Sequence, residues 1–245
     1  MSPVDGARSP LGIYVLPGRV NNPVDGPPQA LQAEAAGLGT VWLSERWEQK
    51  DAPTLLGAMA QVTDRVRLGT AIVHPATRHP IVLASMALTM QWLSNGRFVL
   101  GLGRGVPGIE RSLGTRPVST EALAAVADLL RALWRREPVS YRGPLGSFPE
   151  LRMEHAYDGA PPPLFTAAIG MRTLAMAGAH YDGVILHPLL TADAVRRSVE
   201  EVRGAATNAG RDPADVKGAA TGIVAPGMAE GRAAKAGLLD ADPVT

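Results

Sequence analysis

The residues of this chain that could do chemistry lie at the ends of short apolar runs. Glu45 ends the run TVWLSE (40–45), and Arg46 follows it. A carboxylate there can hold charge or exchange a proton. Arginine has no acceptor and does not deprotonate near neutral pH, so Arg46 suits charge recognition rather than base catalysis. A structural ion pair between Glu45 and Arg46 is the alternative reading. His187, near the end of DGVILHP (182–188), is a candidate proton donor, set against packing or a backbone hydrogen bond. His74 and His79 are close in sequence, but no Asp or Glu nearby completes a metal-ligand set, so no metal site is expected. The chain has no cysteine, which removes thiolate nucleophiles, thiolate metal sites and disulfides together. It also lacks HExxH, the Walker A pattern and the GxSxG nucleophile elbow.

Glycine supplies the remaining signal. Residues 103–108, GRGVPG, match GxGxxG directly after a β-like run. A dinucleotide fingerprint must run straight into a helix that receives the pyrophosphate, and it belongs to the first strand. Here Pro107 and a polar loop follow, the next good helix starts near Ser119, and the run is the fourth. Dinucleotide binding of that kind is therefore rejected. Gly101, Gly103 and Gly105 alternate along the run, where each costs backbone entropy and packing. Two readings stay open: a shallow bed where a flat ring or phosphate-bearing tail approaches the backbone, or relief of crowding between packed elements.

The elements that would carry these residues alternate between β-like and helical patterns, as βαβ units do. The runs are 11–16, 40–45, 66–73, 98–105, 163–170, 182–188 and 216–226. Helices are expected to open at Pro27, at Asp51 as N-cap, at Pro80, after Ser119, near Met171 and near Ala192. In the helix after Ser119, Leu123, Val126, Ala127, Leu130, Leu133 and Trp134 follow the i, i+3, i+4, i+7 rule, leaving Arg131, Arg135 and Arg136 to a solvated face. Residues 138–148 break the alternation and read as an excursion or a short hairpin over the strand-end rim. The chain has 245 residues, 46% of them hydrophobic, so a sizeable core is available, and one domain over 1–245 is expected with 1–10 flexible. A net charge of +1 offers no footprint for nucleic acid or an anionic membrane. No stretch approaches the roughly 20 apolar residues of a membrane span, and no signal peptide is evident, so the expected location is the cytoplasm.

The segment from Arg65 to Gly105, with its LGT run, the HP before the helix, the LSNGR helix end and the GLGRG run, resembles the luciferase-like monooxygenase family. Supporting matches extend from Leu11 to Pro226, including AAGLGTVWLSER (35–46) and AGAHYDGVILHP (177–188). The resemblance implies an α/β fold of the TIM (β/α)8-barrel type, with a cofactor at the C-terminal ends of the strands. Members use either FMN, reduced and with oxygen, or the deazaflavin coenzyme F420 for hydride transfer. It further implies a non-proline cis peptide at Ala71-Ile72 that bulges against the ring, an ordinary strand pair being the alternative. Gly103, Arg104 and Gly105 would lie beside the cofactor. Ala168, Ile169, Gly170 and Met171 would end a strand and open a helix whose amides hold the phosphate. Arg172 would add charge there or face solvent.

One departure bears on chemistry. Some F420-dependent dehydrogenases of the family carry an acid–histidine pair where this chain has Glu45-Arg46. Arg46 would instead hold an anionic substrate or stabilise a negatively charged reduced cofactor, and the histidine mechanism on sugar phosphates is not expected. The expected function is an oxidoreductase passing a hydride between F420 and an unidentified organic substrate. An FMN-dependent monooxygenase and a non-catalytic flavin-binding protein are the alternatives. Only about seven β-like runs are present against the eight of a closed barrel. The barrel is thus expected to be incomplete at its C-terminus, and the open edge to be covered in a homodimer.

Overall fold

Each apolar run of the first half forms one parallel strand, and each helical pattern after it forms the return path that parallel pairing requires. Strands β1 (Gly12–Val15), β2 (Thr40–Leu43), β3 (Arg67–Thr70) and β4 (Phe98–Leu102) pair in that order, separated by helices α1 (Gly26–Ala35), α2 (Ala52–Ala60) and α3 (Pro80–Leu93). The computed structural model describes residues 9–17, 22–47, 49–105, 108–155 and 158–220, which divide into two compact units after Leu164. These four strands belong to the first unit. Register sets Tyr14 beside Trp42 and Trp42 beside Gly69. Strand β4 is buried along its whole length, as its unbroken apolar sequence requires.

Side chains placed by the sequence start the helices. Asp51 accepts from the Thr54 amide at 2.9 Å, and His79 Nδ1 from the Ile81 amide at 3.4 Å. Ser119 accepts from the Ala122 amide at 3.1 Å and opens α5 (Thr120–Trp134), after the short α4 (Ile109–Leu113). Of the expected apolar face of α5, Leu123, Val126, Ala127, Leu130 and Leu133 are buried, and the half-buried Trp134 donates Nε1 to the Ala84 carbonyl at 3.2 Å, tying α5 to α3. The α4 turn stands where a polar loop was expected. Gly108 and Gly114, both left-handed with φ of 84° and 62°, bracket it, and five residues are too few to show an apolar period. The segment read as a hairpin is one, with β5 (Val139–Gly143) antiparallel to β6 (Gly146–Leu151). Phe148 packs edge-on against His79 with ring centroids 5.0 Å apart, so the hairpin lies on the side where the parallel strands end.

Two buried charges close the opposite end of this sheet. Glu34 accepts from the amides of Asp64, Arg65 and Val66, the last two at 2.6 and 2.8 Å. Arg97 donates to the carbonyls of Ala60, Thr63 and Val66 and to the Thr63 hydroxyl, joining α2, β3 and the start of β4. Both side chains are buried, and these partners are what make their burial tolerable.

In the second unit, β7 (Leu164–Ala168), whose first residue closes the first unit, pairs in parallel with β8 (Gly183–Leu186), and β8 with β9 (Lys217–Ala219). Helices α6 (Met171–His180) and α7 (Ala192–Asn208) connect them. Ala168, Leu174, Ala177, Val184, Val202 and Ala206 form the core of this unit. Arg211 Nη1 donates to the carbonyls of Gly178 and Tyr181 at 2.7 Å each, fixing the end of α6. Seven parallel strands are therefore described, four in one unit and three in the other, as the sequence leads one to expect. The expected missing eighth strand concerns residues 221–245, and most of the expected flexible start concerns 1–8; both lie outside the described residues. Among the described residues no helix is long and apolar enough to cross a membrane.

Candidate functional site

At the ends of β2 and β3 the ion pair that was the alternative reading of Glu45 and Arg46 gives way to another partner. Glu45 is buried, and its partner is Arg78 rather than Arg46. Arg78 Nη1 donates to Glu45 Oε2 at 2.9 Å and Nη2 to Oε1 at 2.5 Å, a two-pronged contact that engages both carboxylate oxygens. Nη2 also reaches Asp51, the residue that caps α2. Burial alone would lower the affinity of Arg78 for its proton, but Glu45 and Asp51 outweigh it and the net shift is upward. Together with Trp47, Lys50 and Thr77 these residues line a cleft of about 250 Å³. Lys50, also buried, donates to the Pro17 carbonyl at 2.7 Å. Arg78 escaped sequence reasoning because it lies 33 residues from Glu45 and only the pairing of β2 with β3 brings the two together.

Arg46 is half-buried, and its backbone pairs with Lys50, donating to the Lys50 carbonyl at 3.1 Å and accepting from its amide at 2.7 Å. Its charge acts on Tyr14 of β1. Burial pushes the Tyr14 phenol well above its ordinary pKa, and Arg46 opposes that rise.

The Ala71-Ile72 peptide is cis, as the resemblance implied. The Ala71 amide donates to the Leu43 carbonyl at 2.8 Å, and the Ile72 carbonyl accepts from the Glu45 amide at 3.3 Å. Val73 then rejoins β4, donating to the Gly101 carbonyl and accepting from the Gly103 amide. The Thr70 hydroxyl bonds both the amide and the carbonyl of Gly101, at 2.8 and 2.9 Å, so at Gly101 the close approach is internal packing. Beyond it Gly103 is buried, while Arg104 and Gly105 are exposed at the strand end, Gly105 with φ of 70°. His74 is buried and structural. Its Nδ1 accepts from the Ala76 amide at 3.3 Å, and its other nitrogen serves the Arg104 carbonyl. Burial lowers its pKa against the opposing pull of Glu110 and that carbonyl. Among the described residues no cluster of His, Asp or Glu could hold a metal.

In the second unit, Ala168 ends β7 in the core, and Ile169, Gly170, Met171 and Arg172 follow it, all exposed. Gly170 is the N-cap of α6, with extended backbone (φ −85°, ψ 150°), and it brings no side-chain acceptor to the first turn. Helices α2, α3, α5 and α7 receive such an acceptor from Asp51, His79, Ser119 and Thr191. Nothing lies within 4 Å of where a Gly170 Cβ would be. An open helix start of this kind fits the phosphate-bearing tail of a cofactor. His187, at the end of β8, is exposed, with Nδ1 2.7 Å from the Pro188 carbonyl, so one ring nitrogen is engaged by backbone.

The family profile described as luciferase-like monooxygenase matches residues 16–236. A 5,10-methylenetetrahydromethanopterin reductase from Methanolobus tindarius is 30% identical over 77% of this chain and 57% of its own length. An F420-dependent glucose-6-phosphate dehydrogenase from Amycolatopsis mediterranei is 36% identical over 64% of this chain and 51% of its own. The chain thus spans about half the length of these curated relatives. Among solved structures, the coenzyme F420-dependent tetrahydromethanopterin reductase from Methanopyrus kandleri superposes with a TM-score of 0.77 at 24% identity. That match covers 87% of this chain and 65% of the other, and it establishes likeness of fold.

Proposed function

Because the chain belongs to the luciferase-like monooxygenase family, we propose that it is an oxidoreductase using coenzyme F420 with a small organic substrate. The geometric observation that carries this reading is the open start of α6 directly after β7, where Gly170 offers no side-chain acceptor and no obstruction. The choice of F420 rests on the F420-dependent relative. When bound, the coenzyme supplies two-electron hydride chemistry.

The chain's own residues have distinct parts. The backbone amides at the start of α6, from Gly170 through Arg172, bind phosphate with the helix dipole behind them. Ala71, Ile72, Gly103, Arg104 and Gly105, at the ends of β3 and β4, present backbone to the ring. Glu45 orients rather than relays protons, since both of its oxygens already accept from Arg78. Arg46, permanently charged, recognises an anionic oxygen. His187 has Nε2 to exchange a proton with substrate, its Nδ1 being held at Pro188. The protein also pairs as a homodimer in this reading.

Titration with oxidised and reduced F420 and FMN at matched salt tests the proposal. Tighter binding of F420 is the expected result. Equal or tighter binding of FMN would overturn the cofactor choice, and F420 binding without turnover across a broad substrate panel would turn the reading toward a non-catalytic flavin binder.

A further inference from the structure

Tyr14, Trp42 and Gly69 stand in one row across β1, β2 and β3. Side chains alternate along a strand, so all three positions share one face of the sheet. On the opposite face Val41 and Leu43 are wholly buried, whereas Tyr14 and Trp42 keep part of their surface accessible. Gly69 has no space for a side chain, since a Cβ there would lie 2.3 Å from the Trp42 ring. The indole therefore covers the Gly69 backbone and walls this part of the sheet. Arg46 follows four positions after Trp42, half-buried at the strand-end rim.

The chemistry of this corner is one-sided. Tyr14 offers a phenol, protonated at neutral pH, and Arg46 offers a fixed cation whose field reaches that phenol. Among the described residues neither side chain has a hydrogen-bond or ion-pair partner; the nearby carboxylate, Glu45, is taken by Arg78. Two donors beside an aromatic wall, with no acceptor of their own, complement a planar ring that carries an anionic oxygen pair.

We propose that Tyr14, Trp42 and Arg46 form a recognition corner for an aromatic carboxylate. The inference rests on the oxidoreductase reading only in making that ligand the substrate. Arg46 takes one or both carboxylate oxygens, Tyr14 donates to the same group, and Trp42 packs against the ring. The corner lies wholly within the first unit and uses no residue of the proposed phosphate site.

The test is calorimetric titration of the full cofactor-free chain with benzoate and with cyclohexanecarboxylate, which keeps the charge and loses the planar ring. Benzoate should bind at least about fivefold more tightly; R46Q should weaken it at least about tenfold and Y14F about threefold. Each variant is checked for native far-UV signal, and R46K, which keeps charge without the planar fork, serves if R46Q does not fold. No detectable benzoate binding, no preference over the saturated acid, or an undiminished affinity in a folded Arg46 variant would overturn the proposal. F420 is titrated into the wild-type chain in parallel. Benzoate binding as expected with no F420 binding would leave the corner standing and sink the cofactor reading, and the reverse pattern would do the opposite.

Discussion

Glu34 illustrates how a single side chain can hold a turn. Burial pulls its carboxyl pKa upward, but the amides of Val66, Arg65 and Asp64 and the charge of Arg65 outweigh that effect, and the net shift is downward. A depressed folded-state value means that the ionised form stabilises the fold above the unfolded value of about 4.3, and that this contribution disappears as pH falls through the lower folded one. Glu34→Gln should therefore cost roughly 2 kcal/mol at pH 7, where a charged acceptor for three amides is lost. The two proteins should converge in strong acid. Urea unfolding at pH 7 and pH 3 checks both statements, and a gap that persists unchanged at pH 3 would show that the charge is not what matters. Arg97 is the cationic counterpart at the same end of the sheet, and both were invisible in the sequence because their partners are backbone groups, which carry no residue signature.

The helix starts separate local signals from tertiary ones. Asp51 was legible as an N-cap, and the structure gives it a second partner in Arg78. These two parts can be told apart. Asp51→Asn keeps a capping oxygen and should stay within about 0.5 kcal/mol of wild type, because Asp51 is half exposed and such ion pairs contribute little. Asp51→Ala loses the cap as well and should cost about 1 kcal/mol; denaturant midpoints of the pair decide. At α6 the question is binding rather than stability. The Gly170 backbone lies near the range proline adopts, and space surrounds it, so Gly170→Pro removes one amide donor with little else. If the α6 start holds the phosphate, F420 affinity should fall at least about tenfold with the far-UV signal unchanged, while Gly170→Ala, which keeps the amide, should bind nearly as wild type. Equal affinity in all three would place the phosphate elsewhere.

For the whole chain, the alternation of short strands and helices was readable because apolar runs and capping residues are local. The hairpin was readable from its Gly and Pro spacing. What was not readable depended on strands meeting: Arg78 reaching Glu45, and Tyr14 standing near Arg46. The expectation of a homodimer gains a concrete surface in α3, where Val82 and Leu93, on one face of the helix, are 53% and 48% exposed. Sedimentation at micromolar concentration should give a dimer, and Val82→Glu with Leu93→Glu should yield a monomer; a wild-type monomer would end that idea. Arg97 has a consequence for how the protein is made. Its acceptors at Ala60, Thr63 and Val66 precede it by 31 to 37 residues. A growing polypeptide therefore releases those carbonyls from the ribosome well before the side chain that locks them, and synthesis proceeds from the N-terminus. Stalled nascent chains ending before residue 97 should be cut by protease between 60 and 66, whereas chains long enough to expose Arg97 should resist. The corner between α2 and β3 thus matures on the timetable of translation and not as soon as its own residues emerge.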